Sequence, residues 1–207
     1  MEDLAHRYRR MPMVESGMRV GLFGGSFNPP HAGHVHVCEQ AMRRCELDAV
    51  WWLVTPGNPL KDTRELAPLT ERVAECEAIT PDPRMKITAC EIDMPTRYTA
   101  DTLRQIVARN RDVDFVWIMG ADNLGQFHQW DRWRDIAALM PFVVVDRPGS
   151  TLALHSAKAA QVLRPYRFDE ADASTLPGTP APAWTFLHGP RNSLSSTQLR
   201  QAAKRHR

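Results

Sequence analysis

Short apolar, β-rich runs alternate with amphipathic stretches from residue 19 onward, and this alternation restricts the fold more than any other feature of the chain. Such alternation is typical of strands joined by crossover helices, an arrangement that produces a parallel sheet. The runs predict strands at residues 19–24, 49–55, 85–90, 114–119, 142–145 and 184–187. The remaining stretches predict helices at residues 33–46, 69–80, 99–110, 132–139 and 195–205. The chain is therefore expected to form an α/β sandwich.

Length and local composition divide the chain into a leader and one domain. A length of 207 residues is typical of one domain, with room for a small appendage. Residues 1–18 are polar and basic without periodicity, which predicts either a disordered leader or a misassigned start. Residues 19–207 are expected to form the single domain. Within it, residues 168–182 are rich in Ala, Ser, Thr and Pro and predict an exposed loop.

Charge and cysteine content restrict the partners. A net charge of +2 produces no field that would attract DNA or an anionic membrane, and no apolar run is long enough to span a bilayer. The four cysteines lack CxxC pairing and tight spacing, which favours reduced thiols over a zinc site or a disulfide framework. We therefore expect a cytoplasmic protein that binds small molecules and neither nucleic acid nor membrane. A homo-oligomer stays an open alternative.

The segment GLFGGSFNPPHAGH begins in the first predicted strand and ends in a helix. Gly24 and Gly25 would let the backbone turn sharply and approach a phosphate, although tight turns also use glycine for steric reasons alone. The helix start adds unpaired N–H groups that favour an anion. His31 and His34 would project from the first turn and stabilise developing phosphate charge. His36 is expected on another face, so we predict no protein metal site here.

The segment NSLSSTQLR follows the last predicted strand and opens the last helix. Ser195, Ser196 and Thr197 are good N-cap residues, so their hydroxyls and the free N–H groups would form a second anion pocket. Arg200 follows one turn later and could reach a β- or γ-phosphate. Taken alone, the segment is more typical of an ordinary capped, basic C-terminal helix than of an anion site.

Together, GSFNPPHAGH and SLSSTQLR resemble the early HxGH and late ISSTxxR motifs of the nucleotidyltransferase superfamily. Leu194 stands where the family usually has Ile, a change that conserves volume. Over residues 19–203 the chain is similar to bacterial nicotinate-mononucleotide adenylyltransferases. The resemblance implies a Rossmann-like nucleotidyltransferase fold, and it implies an ATP site formed by Gly24, Gly25, Ser26, Phe27, His31, His34, Asp122, Ser195, Ser196, Thr197 and Arg200.

Two further segments match the nicotinate branch of the family. PGNPLK ends at Lys61, which is either a mobile charge over the phosphates or a solvated loop lysine. TRYTADTL places Tyr98 and Thr99 at a helix start, where backbone N–H groups can bind a pyridine carboxylate as they would any anion. Without the resemblance, this segment would indicate only an ordinary capped helix. The carboxamide of nicotinamide brings no negative charge to the helix start, so such a site would favour the acid over the amide.

A third segment, GADNLGQFHQW, leaves the fourth predicted strand. Asp122 is suited to accept hydrogen bonds from ribose hydroxyls, and Trp130 could stack on the pyridine ring. An isolated tryptophan is more often a packing residue, which is the interpretation we favour for Trp133. The resemblance thus implies a nicotinate-nucleotide site formed by Asn28, Lys61, Tyr98, Thr99, Asp122 and Trp130.

The resemblance implies that the adenylyl group of ATP is transferred to nicotinic acid mononucleotide. The products would be nicotinic acid adenine dinucleotide (deamido-NAD), an intermediate in NAD biosynthesis, and pyrophosphate. The catalytic groups would be His31, His34, Lys61 and Arg200, with Mg²⁺ as the cofactor that accompanies ATP. The alternatives are a phosphopantetheine adenylyltransferase and a nucleotide-binding or regulatory module that is catalytically inactive. A class I aminoacyl-tRNA synthetase fragment is disfavoured because no KMSKS-like loop is present.

Overall fold

The structure is a computed structural model that describes residues 4–57, 66–94, 96, 98–146 and 157–189. In these residues the strands are β1 (Arg19–Gly25), β2 (Ala49–Val54), β3 (Met85–Thr88), β4 (Asp114–Gly120), β5 (Phe142–Val145) and β6 (Trp184–Leu187). The α-helices are α1 (Ala32–Arg44), α2 (Leu69–Ile79), α3 (Thr99–Arg109), α4 (Ala121–Gln126), α5 (Trp133–Leu139) and α6 (Lys158–Val162). Short 3₁₀ helices cover His6–Arg9, Cys90–Asp93, Phe127–Gln129, Arg164–Tyr166 and Glu170–Thr175.

The six predicted strands and the first four predicted helices are confirmed, each to within two residues at either end. The predicted helix at residues 195–205 lies outside the described residues. Helices α4 and α6 were not predicted, because they are too short to show helical periodicity.

The strands form one parallel sheet in the order β3-β2-β1-β4-β5-β6. The central strand β1 pairs with β2 on one side and β4 on the other, so that Leu22 lies between Trp51 and Trp117. The strand order reverses between β1 and β4, and ligands of such sheets bind outside the carboxyl ends of the strands at this reversal. The predicted α/β class is confirmed, and its topology places the expected site at the ends of β1 and β4.

Alternate residues of each strand pack on opposite faces of the sheet. Trp51 faces the core formed with α3, α4, α5 and α6, which includes Leu103 of α3. Its neighbour Trp52 faces the core formed with α1 and α2, which includes Cys38 and Cys76. Because helices cover both faces, all six residues of β2 are buried. This explains why the strand is a continuous apolar run rather than an alternating one.

The prediction of a disordered leader is wrong for residues 4–18. Leu4 is buried in the core on the α1 side, and His6–Arg9 form a 3₁₀ helix. The Tyr8 carbonyl accepts hydrogen bonds from the Ala89 N–H at 2.7 Å and from the Thr88 Oγ1 at 3.1 Å. These contacts dock the segment on the edge strand β3. Sequence periodicity could not reveal them, because they use backbone carbonyls and one isolated apolar side chain.

The prediction of an exposed loop at residues 168–182 is only partly right. The 3₁₀ helix Glu170–Thr175 lies in this stretch, and Ala173 and Leu176 are fully buried against the core on the α1 side. Two apolar residues three positions apart give too little periodicity to be recognised in a segment rich in turn-forming residues.

Among the described helices, none combines the length and the apolar composition that crossing a membrane requires.

Candidate active site

The two glycines at the end of β1 serve packing rather than the turn itself. Gly24 and Gly25 lie within the strand, and the residue with a left-handed backbone in the following loop is Phe27, at φ 45°. A Cβ on Gly24 would lie 2.5 Å from Cη2 of Trp117 on the neighbouring strand β4. The prediction that the glycines form the sharp turn is therefore wrong, although they do let the sheet close tightly beneath the loop.

Gly24→Ala is expected to destabilise the protein by about 1–3 kcal/mol, because the added methyl must displace the Trp117 indole in a filled core. Urea unfolding would measure this loss. Gly125→Ala is the matched control, since a Cβ there meets no atom within 4 Å. Equal stability of Gly24→Ala and the wild-type protein would contradict this account of Gly24.

Phe27 holds the loop by packing, which is why a residue with a side chain tolerates the left-handed conformation. It is buried, stacks on Trp52 at 4.9 Å between ring centroids, and meets His34 edge-on at 5.1 Å. The apolar base formed by Phe23, Phe27 and Trp52 thus supports one side of the His34 ring.

His31 and His34 form a reciprocal cap at the start of α1. Nδ1 of His31 accepts a hydrogen bond from the Gly33 N–H, and Nδ1 of His34 accepts one from the His31 N–H, both at 3.1 Å. Because each Nδ1 is an acceptor, the network assigns the ring proton to Nε2 in both residues. The rings lie 3.8 Å apart. The cap therefore fixes the orientation of both imidazoles at the start of α1, and a helix N-terminus is a place that favours an anionic phosphate.

Arg72, which was not among the predicted site residues, joins the loops behind these histidines. It is 1% exposed on α2 and donates to the carbonyls of Ser26 at 2.6 Å and Thr55 at 2.9 Å. It also donates to the Ala67 carbonyl at 2.9 Å and the Pro56 carbonyl at 3.4 Å. One guanidinium thus connects the loops after β1 and β2 with the start of α2. A charged residue at the start of a predicted helix gave no signal of this role.

Asn28 and Glu91 add two further links between these loops. Oδ1 of Asn28 accepts the Ala67 N–H at 3.0 Å. The Glu91 carboxylate accepts the Thr102 hydroxyl at 2.8 Å and also bonds Thr55. Burial raises the pKa of Glu91, and the two threonine hydrogen bonds oppose this rise. The ends of β1 and β2 and the first turn of α3 therefore form one hydrogen-bonded unit.

The start of α3 lies at the same edge of the sheet. Tyr98 is the N-cap residue, is 44% exposed and makes no side-chain cap, and Thr99 is the first helical residue. The Tyr98 N–H donates to Oγ1 of Thr96 at 3.3 Å. The helix start predicted at Thr99 is therefore confirmed, while its ligand stays a prediction.

Asp122 and Trp130 follow β4, as predicted. Asp122 is exposed in the first turn of α4. Trp130 is half-buried and lies edge-to-face with Phe127 at 5.5 Å and Trp117 at 6.3 Å, whereas Trp133 is 6% exposed in the core. The core assignment of Trp133 is confirmed. Trp130 is anchored by the core yet retains exposed surface.

The structure brings together much of the predicted site at the carboxyl edge of the sheet: Ser26, Phe27, Asn28, His31 and His34 after β1, Tyr98 and Thr99 at the start of α3, and Asp122 and Trp130 after β4. Lys61, Ser195, Ser196, Thr197 and Arg200 lie outside the described residues. Within the described ranges, no cluster of three or more His, Cys, Asp or Glu side chains could hold a metal ion.

Comparison with known proteins identifies the family. The cytidylyltransferase-like family model matches residues 22–202. A Mesorhizobium japonicum protein named "Probable nicotinate-nucleotide adenylyltransferase" is 58% identical over 194 residues, which cover 94% of this chain and 100% of that protein. The chain belongs to the nicotinate-nucleotide adenylyltransferase family. A member of that family with the same name, from Methylorubrum extorquens strain PA1, is 61% identical over 183 residues, or 88% of this chain and 99% of that protein.

A solved member of the nicotinate-nucleotide adenylyltransferase family shares the fold. The structure of Plasmodium falciparum nicotinic acid mononucleotide adenylyltransferase complexed with NaAD superimposes with a TM-score of 0.68 at 15% identity, covering 89% of this chain and 83% of that one. This likeness confirms the predicted nucleotidyltransferase fold. The match to the family model also spans both motif segments, including the positions that the structure does not describe.

Proposed function

We propose that this chain transfers the adenylyl group of ATP to nicotinic acid mononucleotide and releases pyrophosphate, forming nicotinic acid adenine dinucleotide for NAD biosynthesis. The observation that carries the proposal is the reciprocal histidine cap at the carboxyl end of β1, next to the strand-order reversal. The family relatives, which are named nicotinate-nucleotide adenylyltransferases, support the choice of acceptor.

The reaction is an in-line displacement at the α-phosphorus of ATP. A 5′-phosphate oxygen of nicotinic acid mononucleotide forms the new P–O bond, and the bond between the α-phosphorus and the bridging oxygen of the leaving pyrophosphate breaks. The attacking phosphate is already ionised, so the chain needs no general base and forms no covalent intermediate. The task of the protein is to orient two anions and offset their repulsion, which can lower the barrier by about 7–11 kcal/mol.

The donors for the transferring phosphoryl group are the Nε2–H groups of His31 and His34 together with the N-terminus of α1. Since the cap fixes both rings before substrate arrives, their alignment costs no reorganisation during the reaction. The backbone around Gly24, Gly25, Ser26 and Phe27 completes the ATP side of the site. Lys61 and Arg200 would neutralise the pyrophosphate, aided by the hydroxyl groups of Ser195, Ser196 and Thr197.

The acceptor occupies the space between α3 and the segment after β4. Its pyridine carboxylate would accept the Thr99 N–H, and the Tyr98 N–H in exchange for the bond to Thr96 Oγ1, and its ring would stack on the exposed surface of Trp130. Asp122 would bind ribose hydroxyls, and Asn28 would help to seat the acceptor phosphate. Mg²⁺ would enter with the triphosphate as part of the MgATP substrate.

We also propose which molecules take part in the reaction and in which compartment it occurs. The partners are the two small-molecule substrates. The cytoplasm is the compartment that keeps thiols reduced, and the four cysteines are free and buried. We therefore place the reaction there.

We expect at least tenfold higher kcat/KM with nicotinic acid mononucleotide than with nicotinamide mononucleotide, because only the acid brings an anion to the start of α3; tenfold corresponds to about 1.4 kcal/mol. The measurement offers each acceptor, and phosphopantetheine in parallel, with ATP and Mg²⁺, and follows pyrophosphate and dinucleotide formation. Preference for the amide would refute the carboxylate site. Turnover of phosphopantetheine alone would indicate the other adenylyltransferase, and ATP binding without pyrophosphate release would indicate the catalytically inactive module.

A further inference from the structure

An ion-pair network on the protein surface connects α3 to the start of α5. Asp101 accepts hydrogen bonds from Arg132 and, at 3.3 Å, from Arg104. Arg132 also bonds Asp131 at 2.9 Å, and Arg104 bonds Asp135 at 3.2 Å. The five side chains are between 35% and 50% exposed, so the network contributes little to stability. The network is important because it joins the first turns of α3 to the start of α5.

Arg132 has an uncommon backbone conformation. Its φ of 49° and ψ of 39° are left-handed, although it is not a glycine, and it is the residue that precedes α5. Such a conformation costs about 1–3 kcal/mol and persists where the surrounding structure holds it. The bonds to Asp101 and Asp131 provide that restraint. Arg132 lies two residues after Trp130, and Asp101 lies two residues after Thr99, so the ion pair joins the two segments that carry the proposed acceptor residues.

The charges at this site affect the two candidate acceptors differently. Asp101 lies in the first turn of α3, the turn whose N–H groups would receive the pyridine carboxylate. The hydrogen bond from Arg132 lowers the pKa of Asp101, so this carboxylate is ionised across the working pH range. Its negative charge would repel a second carboxylate bound within a Debye length of about 8–10 Å, but it would not repel an uncharged amide.

We infer that Arg132 is a specificity-determining residue that maintains the preference for the acid by offsetting the charge of Asp101 at the start of α3. The inference rests on the proposed function. Arg132 itself need not touch the substrate, because its effect passes through Asp101. The pair therefore acts on acceptor choice and leaves the ATP side of the site unchanged.

The test compares Arg132→Gln, Asp101→Asn and the double variant by the ratio of kcat/KM for the acid to kcat/KM for the amide. Arg132→Gln is expected to lower this ratio by up to about fivefold, because the partly exposed Asp101 then keeps only its longer ion pair with Arg104. Asp101→Asn should not lower it, and the double variant should return it toward the wild-type value. The KM for ATP should stay constant throughout. The effect of Arg132→Gln should also shrink from about 0.01 M to about 1 M salt, because salt screens the exposed charge.

A purely structural role would give a different result. If Arg132→Gln and Asp101→Asn lowered the ratio equally, or if neither changed it, the electrostatic inference would be overturned. Arg132→Lys keeps the charge and should keep the ratio, even if its simpler side chain weakens the turn. Arg84→Gln is the matched control, since Arg84 forms an exposed pair with Asp82 before β3, at the opposite edge of the sheet. A wild-type protein that does not turn over the acid would instead refute the proposed function.

Discussion

Replacement of His34 by alanine is expected to lower kcat by about 10²- to 10³-fold, the usual loss when one preorganised donor to developing charge is removed. In the structure, Nδ1 of His34 is used by the helix cap, which commits its proton to Nε2. The alanine variant loses both functions, so it should also lose about 0.5–2 kcal/mol of stability through the broken cap. Steady-state kinetics and thermal unfolding measure the two losses separately.

Two isosteric variants separate catalysis from capping. An asparagine amide can place an acceptor where Nδ1 of His34 lies, whereas a glutamine amide can place a donor where Nε2–H lies. We therefore expect His34→Asn to be stable but slow, and His34→Gln to retain more activity while being less stable. If the two variants were equally slow and equally stable, the assignment of Nε2–H as the catalytic donor would be wrong.

His36→Ala is the control for this series, because His36 lies on the same helix but outside the reciprocal cap. Its kcat should stay within a few-fold of the wild-type value. A His34→Ala enzyme with kcat also within a few-fold of wild type would remove His34 from the mechanism. The proposed transfer would then have to rely on the helix N-terminus and on Lys61 and Arg200.

Arg72→Met is expected to be the most destabilising single change, at about 3–5 kcal/mol of unfolding free energy. The methionine fills part of the space but leaves the carbonyls of Ser26, Thr55 and Ala67 without their donor. Each buried unsatisfied acceptor costs about 1–3 kcal/mol. For a chain of this length the melting temperature should fall on the order of 10 °C. Thermal unfolding checks this, and kcat should fall as well because the loop after β1 loses its anchor.

Arg72→Lys tests whether the charge or the geometry matters. An ammonium group keeps the charge but cannot reach carbonyls on both sides as a planar guanidinium does, so we expect it to recover less than half of the lost stability. Arg84→Gln, which removes an exposed ion pair, should cost less than about 1 kcal/mol. Comparable losses for Arg72→Met and Arg84→Gln would show that the loops do not depend on Arg72.

The strands could be predicted from the sequence because a parallel sheet covered on both faces demands continuous apolar runs. The segment AVWWLV of β2 is such a run, and all of its residues are buried. The starts of α1 and α3 were predicted at residues 33 and 99 and lie at Ala32 and Thr99, since the break from strand to helix is a local property of the chain. The histidine spacing in HAGH predicted both rings at the start of this helix, although the reciprocal cap that they form was not predicted.

Contacts between segments distant in the chain were not predictable. The docking of Tyr8 on Thr88 and Ala89 spans about 80 residues and uses a backbone carbonyl, which has no sequence signature. The role of Gly24 was mistaken because only the fold shows Trp117 beneath it. Glu91 bonds Thr102 across the junction of two elements, and that partner was likewise invisible in the sequence.

By itself, the sequence determined the succession of strands and helices along the chain. It also determined the position of the two histidines and the resemblance that suggested the reaction. Periodicity and motif spacing are local properties of the chain, so both can be recognised without the fold. Tertiary structure alone decided which loops meet behind the histidines, through the four carbonyls that Arg72 binds. It also decided that Arg132 reaches Asp101. Hydrogen bonds and charge pairs act over a few ångströms in space, and their partners become neighbours only after the sheet has brought distant segments together.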